Sequence, residues 1–234
     1  IPQEDKYLDC AQQYLEYQIK RARKMNVKIF RAWSSIGSDW YKGFYKKNRF
    51  EISLLEYISE INLDKFFIKN FESSVSRFDK NTYIISNLKE LKKLHSDWEM
   101  KLFNLWKQIE HDVPSDINLD IELDLWKSSI FCPWFKEEDT YIVTDGDKWI
   151  ALSSYTRSLR SRHEISTELT GVLPNYRRQG ICSAVKLHSL LDLKKKGFKK
   201  VFTGNEENNP MFQINLMLGF KKIGTEFGCK LFLK

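Results

Sequence analysis

The run Arg177-Arg178-Gln179-Gly180-Ile181-Cys182 holds the most chemically suggestive residue types at close spacing in this chain. Set between a strand-like run and the start of a helical one, it predicts a turn whose successive backbone N–H groups face one spot, and such a spot binds an anion. The helix dipole adds to the attraction, Gly180 lets a phosphate approach closely, and the two arginines offer charge-assisted contacts. A plain helix-capping turn is the alternative reading of the same residues. Other reactive side chains are scattered. His95, His111, His163 and His188 show no pairing with a nucleophile, which leaves a hydrolase triad without support. Cys10, Cys132, Cys182 and Cys229 form no CxxC and have no histidine at a ligand-like interval, so no metal site and no disulfide framework is expected.

The elements that must position the turn are punctuated. Residues 165–172 read as a strand, Leu173-Pro174-Asn175 turns the chain, and a helix over 183–196 carries Ala184, Leu187, Leu190 and Leu191 on one face. Lys194-Lys195-Lys196 before Gly197 suits the helix's negative end, and 200–203 returns as a strand. Upstream, 82–86 reads as a strand followed by one long amphipathic helix carrying Leu91, Leu94, Trp98, Leu102, Leu105 and Trp106, stopped at Asp112-Val113-Pro114. A second helix over 119–131 precedes a hairpin of 141–144 and 149–155 joined at Asp145-Gly146-Asp147. From residue 81 the expected order is βααβββαβαββ. Residues 1–70 echo the C-terminal third: the helix of Ala11, Tyr14, Leu15, Ile19 and Ala22 matches the Ala184 helix, 27–30 matches 198–202, and 44–50 lies where 214–220 lies. A half sheet exposes an unpaired edge, so this segment is expected to pack on the rest.

Arg177, Gly180 and Cys182, with Thr170-Gly171-Val172-Leu173-Pro174 before them and Asn208-Asn209-Pro210-Met211, Asn215 and Leu218-Gly219-Phe220 after, resemble the GNAT superfamily of acyl-CoA-dependent N-acyltransferases. The signature there is Arg/Gln-x-x-Gly-x-Gly/Ala, and Cys182 stands where a small residue is usual. The resemblance implies an α/β (α+β) fold with a mixed, mostly antiparallel central sheet flanked by helices. It makes 81–234 a complete GNAT-like domain, 71–80 a linker and 1–70 a degenerate C-terminal half copy, similar to the tandem GNAT proteins such as mycothiol synthase. It also implies acetyl-CoA as acyl donor, lying where the fourth and fifth strands splay, with pantetheine along Thr170, Gly171 and Val172. The pyrophosphate would sit on the turn of Arg177, Arg178, Gln179, Gly180, Ile181, Cys182 and Ser183, with Asn208 nearby. A strand N–H within 169–171 would receive the oxyanion, and Glu168, read as sharing a strand face with Ser166, Thr170 and Val172, would be the general base. A solvated carboxylate is the other reading of Glu168. Where relatives carry a tyrosine as acid for the leaving thiolate, this chain has Asn215; the half copy keeps Tyr45 there, but Gln3-Glu4-Asp5-Lys6-Tyr7 replaces its phosphate turn. Cys182 is read as a small residue, not a nucleophile. Glu110, Asp112, Asp116, Asp120, Glu122 and Asp124 fall where relatives build the acceptor pocket, which suits a cationic small amine, or else form a solvated connection.

Composition bounds the remainder. The hydrophobic fraction is 42% and the aromatic 14%, enough for a sizeable core. The net charge of +7 is dispersed among acidic residues with no basic helix, so nucleic-acid binding is the weakest reading. No apolar run approaches a membrane span and Ile1-Pro2-Gln3-Glu4-Asp5 is unlike a secretory leader, so neither membrane nor export is expected, and a reducing cytoplasm fits the cysteines. The expected function is transfer of an acetyl group to a primary amine by direct attack in a ternary complex; the rival is a non-catalytic acyl-CoA-binding or regulatory protein.

Overall fold

A computed structural model of the chain describes residues 4–34, 40–67, 71, 75–113 and 122–233. Two compact units emerge, one of Ile1–Tyr57 with Gly224–Lys234 and one of Ile58–Ile223. The first contains α1 (Glu4–Lys24), β1 (Ile29–Trp33) and α2 (Trp40–Lys47). Two strands run through both units, β2 (Glu51–Asn62) and β8 (Lys221–Phe232). The second holds β3 (Tyr83–Asn87), α3 (Leu88–Leu94), α4 (Trp98–Glu110), α5 (Leu123–Ile130), β4 (Phe135–Asp145) and β5 (Lys148–Arg157). It continues with β6 (Glu164–Val172), α6 (Ile181–Lys195), β7 (Lys200–Glu206) and α7 (Pro210–Met217). The eight strands follow the order β1-β8-β2-β7-β6-β5-β4-β3. The fold is thus the mixed α/β type, with a mostly antiparallel sheet flanked by helices.

In the second unit the antiparallel ladder β3-β4-β5-β6 has an apolar cluster on each face. On one, α3, α4 and α5 contribute Leu91, Leu102, Trp106, Ile109 and Trp126 against Ile142, Leu152 and Leu169. On the other, α6 contributes Val185, Leu190 and Leu193 against Tyr141, Ile150, Tyr155 and Ile165. The single long helix expected over 91–106 is two helices. Asn87 caps α3 through its side chain and the Glu90 amide; His95 then leaves the helical region at φ −128°, ψ 109°, and α4 starts after Asp97. Ser96 and Asp97 compete with a helical backbone through their short polar side chains, and the break leaves Leu94 exposed instead of in the stripe. At the C-terminus the two expected strands are one, β8. The β4–β5 hairpin turns at Gly146 (φ +54°), as the Asp-Gly signal predicts.

In the first unit, Leu15 and Ile19 of α1 pack with Phe30, Phe44, Tyr45, Phe50, Phe227 and Cys229. Tyr45 donates to the Trp33 carbonyl at 3.1 Å and burial raises its pKa, so this tyrosine is a core residue here. The boundaries of these units differ from the division at 71–80. Strand β8 pairs with β1, from Ile29↔Phe232 to Trp33↔Gly228, and is also hydrogen-bonded to β2. From Gly224 on, the C-terminal strand therefore belongs to the N-terminal unit, which strand-by-strand reading cannot reveal.

Candidate active site

Strands β6 and β7 are parallel and pair only at Glu164↔Lys200, Ile165↔Val201 and Ser166↔Phe202, although β6 continues to Val172 and β7 to Glu206. Past this fork the inner edge of β6 has no strand partner among the described residues. Leu173 N–H donates to the Ile150 carbonyl in β5 at 2.9 Å. By the alternation of a strand, Thr170 and Val172 therefore turn their peptide groups toward the fork. The Thr167 hydroxyl, at the branch point, is buried without a hydrogen-bond partner among the described residues. The Thr170 side chain is held by Ser153, 3.0 Å away on β5. Gly171 faces the other way, where a Cβ would overlap Ile109 of α4; its lack of a side chain serves helix packing.

At the far end of β6 the anticipated turn takes shape. Arg178 and Gly180 both adopt left-handed backbone, at φ +65° and +77°. This is strained for an arginine and natural for glycine. Gly180 caps α6, whose first internal bond is Ala184 N–H to the Gly180 carbonyl at 3.0 Å. The amides of residues 178–183 have no backbone acceptor among the described residues, so several donors stand together at a helix N-terminus. A Cβ on Gly180 would meet the Phe78 amide nitrogen at 3.1 Å. Gln179 is fixed by the Tyr83 hydroxyl, which donates at 2.7 Å. Ile181 is core, Ser183 is buried and Arg178 is exposed.

Arg177 differs from the expectation of a free anion contact: its Nε donates to the Val172 carbonyl at 3.2 Å and its guanidinium pairs with Asp112. It clamps the end of β6 because its stem points back along the turn. Asp112 is accordingly engaged, and Glu122 and Asp124 lie at the start of α5, where carboxylates favour a helix N-terminus. Asp116 and Asp120 lie outside the described residues. Glu110, the remaining member of the acidic group, has its carboxyl raised first by burial and then by the charge of Glu168.

Glu168 is placed differently from the sequence reading. The β5–β6 register jumps from Ser154↔Leu169 to Tyr155↔Thr167, leaving Glu168 as an extra, bulged residue. The bulge resets the alternation. Glu168 shares the α4 face with Ser166, within 3.4 Å of the Thr156 hydroxyl and in electrostatic reach of Glu110. Thr170 and Val172 point to the α6 face instead. Glu110 of α4 and Glu168 of β6 thus lie within electrostatic reach of each other on the α4 face. A cavity of about 430 Å³ elsewhere on α4 is bounded by Lys101, Gln108, Asp147, Lys148 and Trp149.

Asn215 is fully buried on α7 and reaches Asn205 of β7, Nδ2 to Oδ1, at 2.6 Å. Its own Oδ1 accepts from Lys186, a lysine with no exposed surface. Burial pushes the Lys186 ammonium down to about 8. Sequence reading did not single out Lys186; its signal is that residues 181–191 are apolar or small nearly all round, which leaves Lys186 no polar face to occupy. Cys182 sits one turn before it, its thiol 3.2 Å from the Met211 sulfur and pushed up to about 11 by burial, the reverse of an activated thiolate. Asn209 caps α7 through the Met211 amide at 2.9 Å, while Asn208 is exposed beside it. No group of three His, Cys, Asp or Glu among the described residues is arranged to hold a metal, and no described helix is long and apolar enough to cross a membrane.

No protein-family model and no curated protein sequence matches the chain. Solved structures do. A GCN5-related N-acetyltransferase from Sphaerobacter thermophilus superposes with a TM-score of 0.63 at 10% identity, over 88% of this chain and 60% of that one. The GCN5-related glucosamine N-acetyltransferase region of a fungal multi-domain GH3 β-N-acetylglucosaminidase gives 0.66 at 14% identity, over 90% and 26%. The chain therefore spans less than two thirds of either. A tandem GNAT protein from the clavulanic acid biosynthesis pathway gives 0.68 at 12% identity, over 95% of this chain and 70% of that one. At such identities the likeness is one of architecture, and the splayed sheet of this chain has the fold of GCN5-related N-acetyltransferases.

Proposed function

We propose that the chain transfers an acetyl group from acetyl-CoA to the primary amine of a small, cationic acceptor by direct attack within a ternary complex. The observation that carries this reading is the fork between β6 and β7 ending at a helix N-terminus whose amides have no backbone acceptor among the described residues. The residues present fit the donor: the amides of 178–183 suit a diphosphate, the Thr170 peptide and the Val172 N–H, which have no strand partner among the described residues, suit the amides of pantetheine, and the Thr167 hydroxyl has no hydrogen-bond partner among the described residues. Acetyl-CoA, when bound, supplies the activated acyl group. The Thr170 N–H turns toward the fork and donates to the carbonyl oxygen as negative charge develops there. Glu168, exposed at its bulge, takes the proton of the attacking amine directly or through water. Glu110 beside it adds the negative charge that draws a cationic acceptor and excludes an anionic one.

The N-terminal unit is read as a degenerate half copy: Gln3-Glu4-Asp5-Lys6-Tyr7 stands in place of the Arg/Gly turn, and Glu4–Tyr7 form the first turn of α1. One acetyl-CoA per chain is the expectation. Calorimetry with acetyl-CoA, followed by a CoA-release screen over amines, amino acids and aminoglycosides, tests the proposal. Stabilisation by acetyl-CoA, competition by CoA and release with a cationic amine are expected; no binding of either would overturn it.

A further inference from the structure

We propose that the open face of the sheet in the first unit is an isologous interface, on which a second copy of this chain packs about a two-fold axis to form a dimer. The proposal does not depend on the chemistry of the fork. In this unit α1 and α2 both pack on one face of the sheet, against Phe30, Phe227, Cys229 and Leu231. By strand alternation the other face carries Arg31 and Trp33 of β1 and Glu226, Gly228, Lys230 and Phe232 of β8. A Cβ on Gly228 would meet the Trp33 ring at 3.4 Å and the Leu54 Cβ at 3.5 Å, which places Leu54 of β2 on this face too. Ile52 and Glu56 then flank Leu54, two residues to either side. Among the described residues no helix of this unit packs here, and Trp33, Ile52 and Phe232 are 41%, 62% and 54% exposed. A sheet face left to water carries polar residues at such positions, so this one calls for a cover.

The charges on the face select the occupant. Trp33, Gly228 and Leu54 form a central row, in which the Trp33 ring lies across β8 because Gly228 has no side chain. On one side of that row Arg31 stands directly opposite Lys230. On the other side Glu56 lies beside Glu226, its carboxyl raised by burial and then by the charge of that neighbour. Like charges on adjacent strands oppose each other within one chain. A two-fold axis along the central row turns a second sheet over so that β8 faces β8 and the basic side of each copy meets the acidic side of the other, Lys230 against the partner's Glu226. An axis along the strands would stack Lys230 on the partner's Lys230. A foreign surface of either charge would match only half of the face, whereas the same face reversed matches all of it. Three strands about 4.8 Å apart and about nine residues long, at about 3.4 Å each, give a footprint of about 430 Å² per copy. That is about half the 800 Å² or so that each partner contributes to a standard interface, so the dimer is a reversible one.

Sedimentation equilibrium of the whole chain tests the proposal without any ligand. From about 1 to about 200 μM the mass should rise from one chain toward two and stop there, as a closed isologous contact requires. Lys230→Glu and Glu226→Lys should each weaken the dimer by about tenfold or more, because each sets like charges face to face on both sides of the axis. Within one chain each change also removes a like-charge neighbour, Arg31 beside position 230 or Glu56 beside position 226, so both variants should fold, which circular dichroism checks. Mixed in equal amounts, the two variants should recover the wild-type association, since every reversed charge then meets its opposite across the axis. The double variant should recover it alone for the same reason. A wild-type chain that stays single at about 200 μM, or that grows past two copies, would overturn the proposal whatever the variants do. Association unchanged in both single variants, or not regained on mixing them, would overturn it as well.

Discussion

At the scale of single residues the site combines groups whose protonation is set by their surroundings. Glu168→Gln should lower kcat by about a hundredfold while acetyl-CoA affinity, measured by calorimetry, stays unchanged, because the lost interaction belongs to the transition state. Lys186 makes a prediction about stability as well. Its folded pKa of about 8 lies below the unfolded value of about 10.4, so the native state binds that proton more weakly. Below pH 8 both states are protonated and the burial penalty is complete. Between about 8 and 10.4 the unfolded chain keeps a proton that the native chain has shed, and stability rises with pH by about 3 kcal/mol at most. Urea midpoints of the wild type and Lys186→Met across this range should converge as pH rises. The turn itself was legible because its residue types act through the backbone, which sequence order specifies directly. The Glu168 face and the Arg177 partner were not: one depends on a bulge that inserts a residue without any mark in the sequence, the other on an acid sixty-five positions away.

Elements carry the next level of constraint. Local signals sufficed for α6, β6 and the hairpin, where apolar period and glycine turns agree. They failed at residues 95–97, where an apolar stripe continued across a break made by short polar side chains. Gly171 shows how an element can demand a residue for reasons unconnected with ligand. Gly171→Ala forces Ile109 and α4 off β6 and should cost about 1–3 kcal/mol, read as a lowered urea midpoint. Gly180→Val combines a β-branched residue at φ +77° with the Phe78 amide 3.1 Å from its Cβ. It should abolish the thermal shift caused by acetyl-CoA, since the cap that presents the amides would be displaced. Circular dichroism of that variant separates loss of the site from loss of the fold.

For the whole molecule the deciding feature is the strand order. Sequence echo alone made residues 1–70 a covering segment; in the sheet, β8 has β1 on one side and β2 on the other, and β7 has β2 beside it. A chain beginning at residue 71 leaves β8 without either neighbour and opens one edge of β7. Such a fragment should be insoluble on expression, and a soluble, active one would show that the N-terminal unit is dispensable. The same order has a consequence during synthesis. Ile29 is paired with Phe232, so the first unit cannot close its sheet until some two hundred further residues have left the ribosome. Its strands must wait with open edges while the second unit forms, a route of high contact order in which folding is slow and exposed edges invite chaperones. Translation that stalls before residue 224 would release a chain with its fork and turn encoded and its first unit unable to fold.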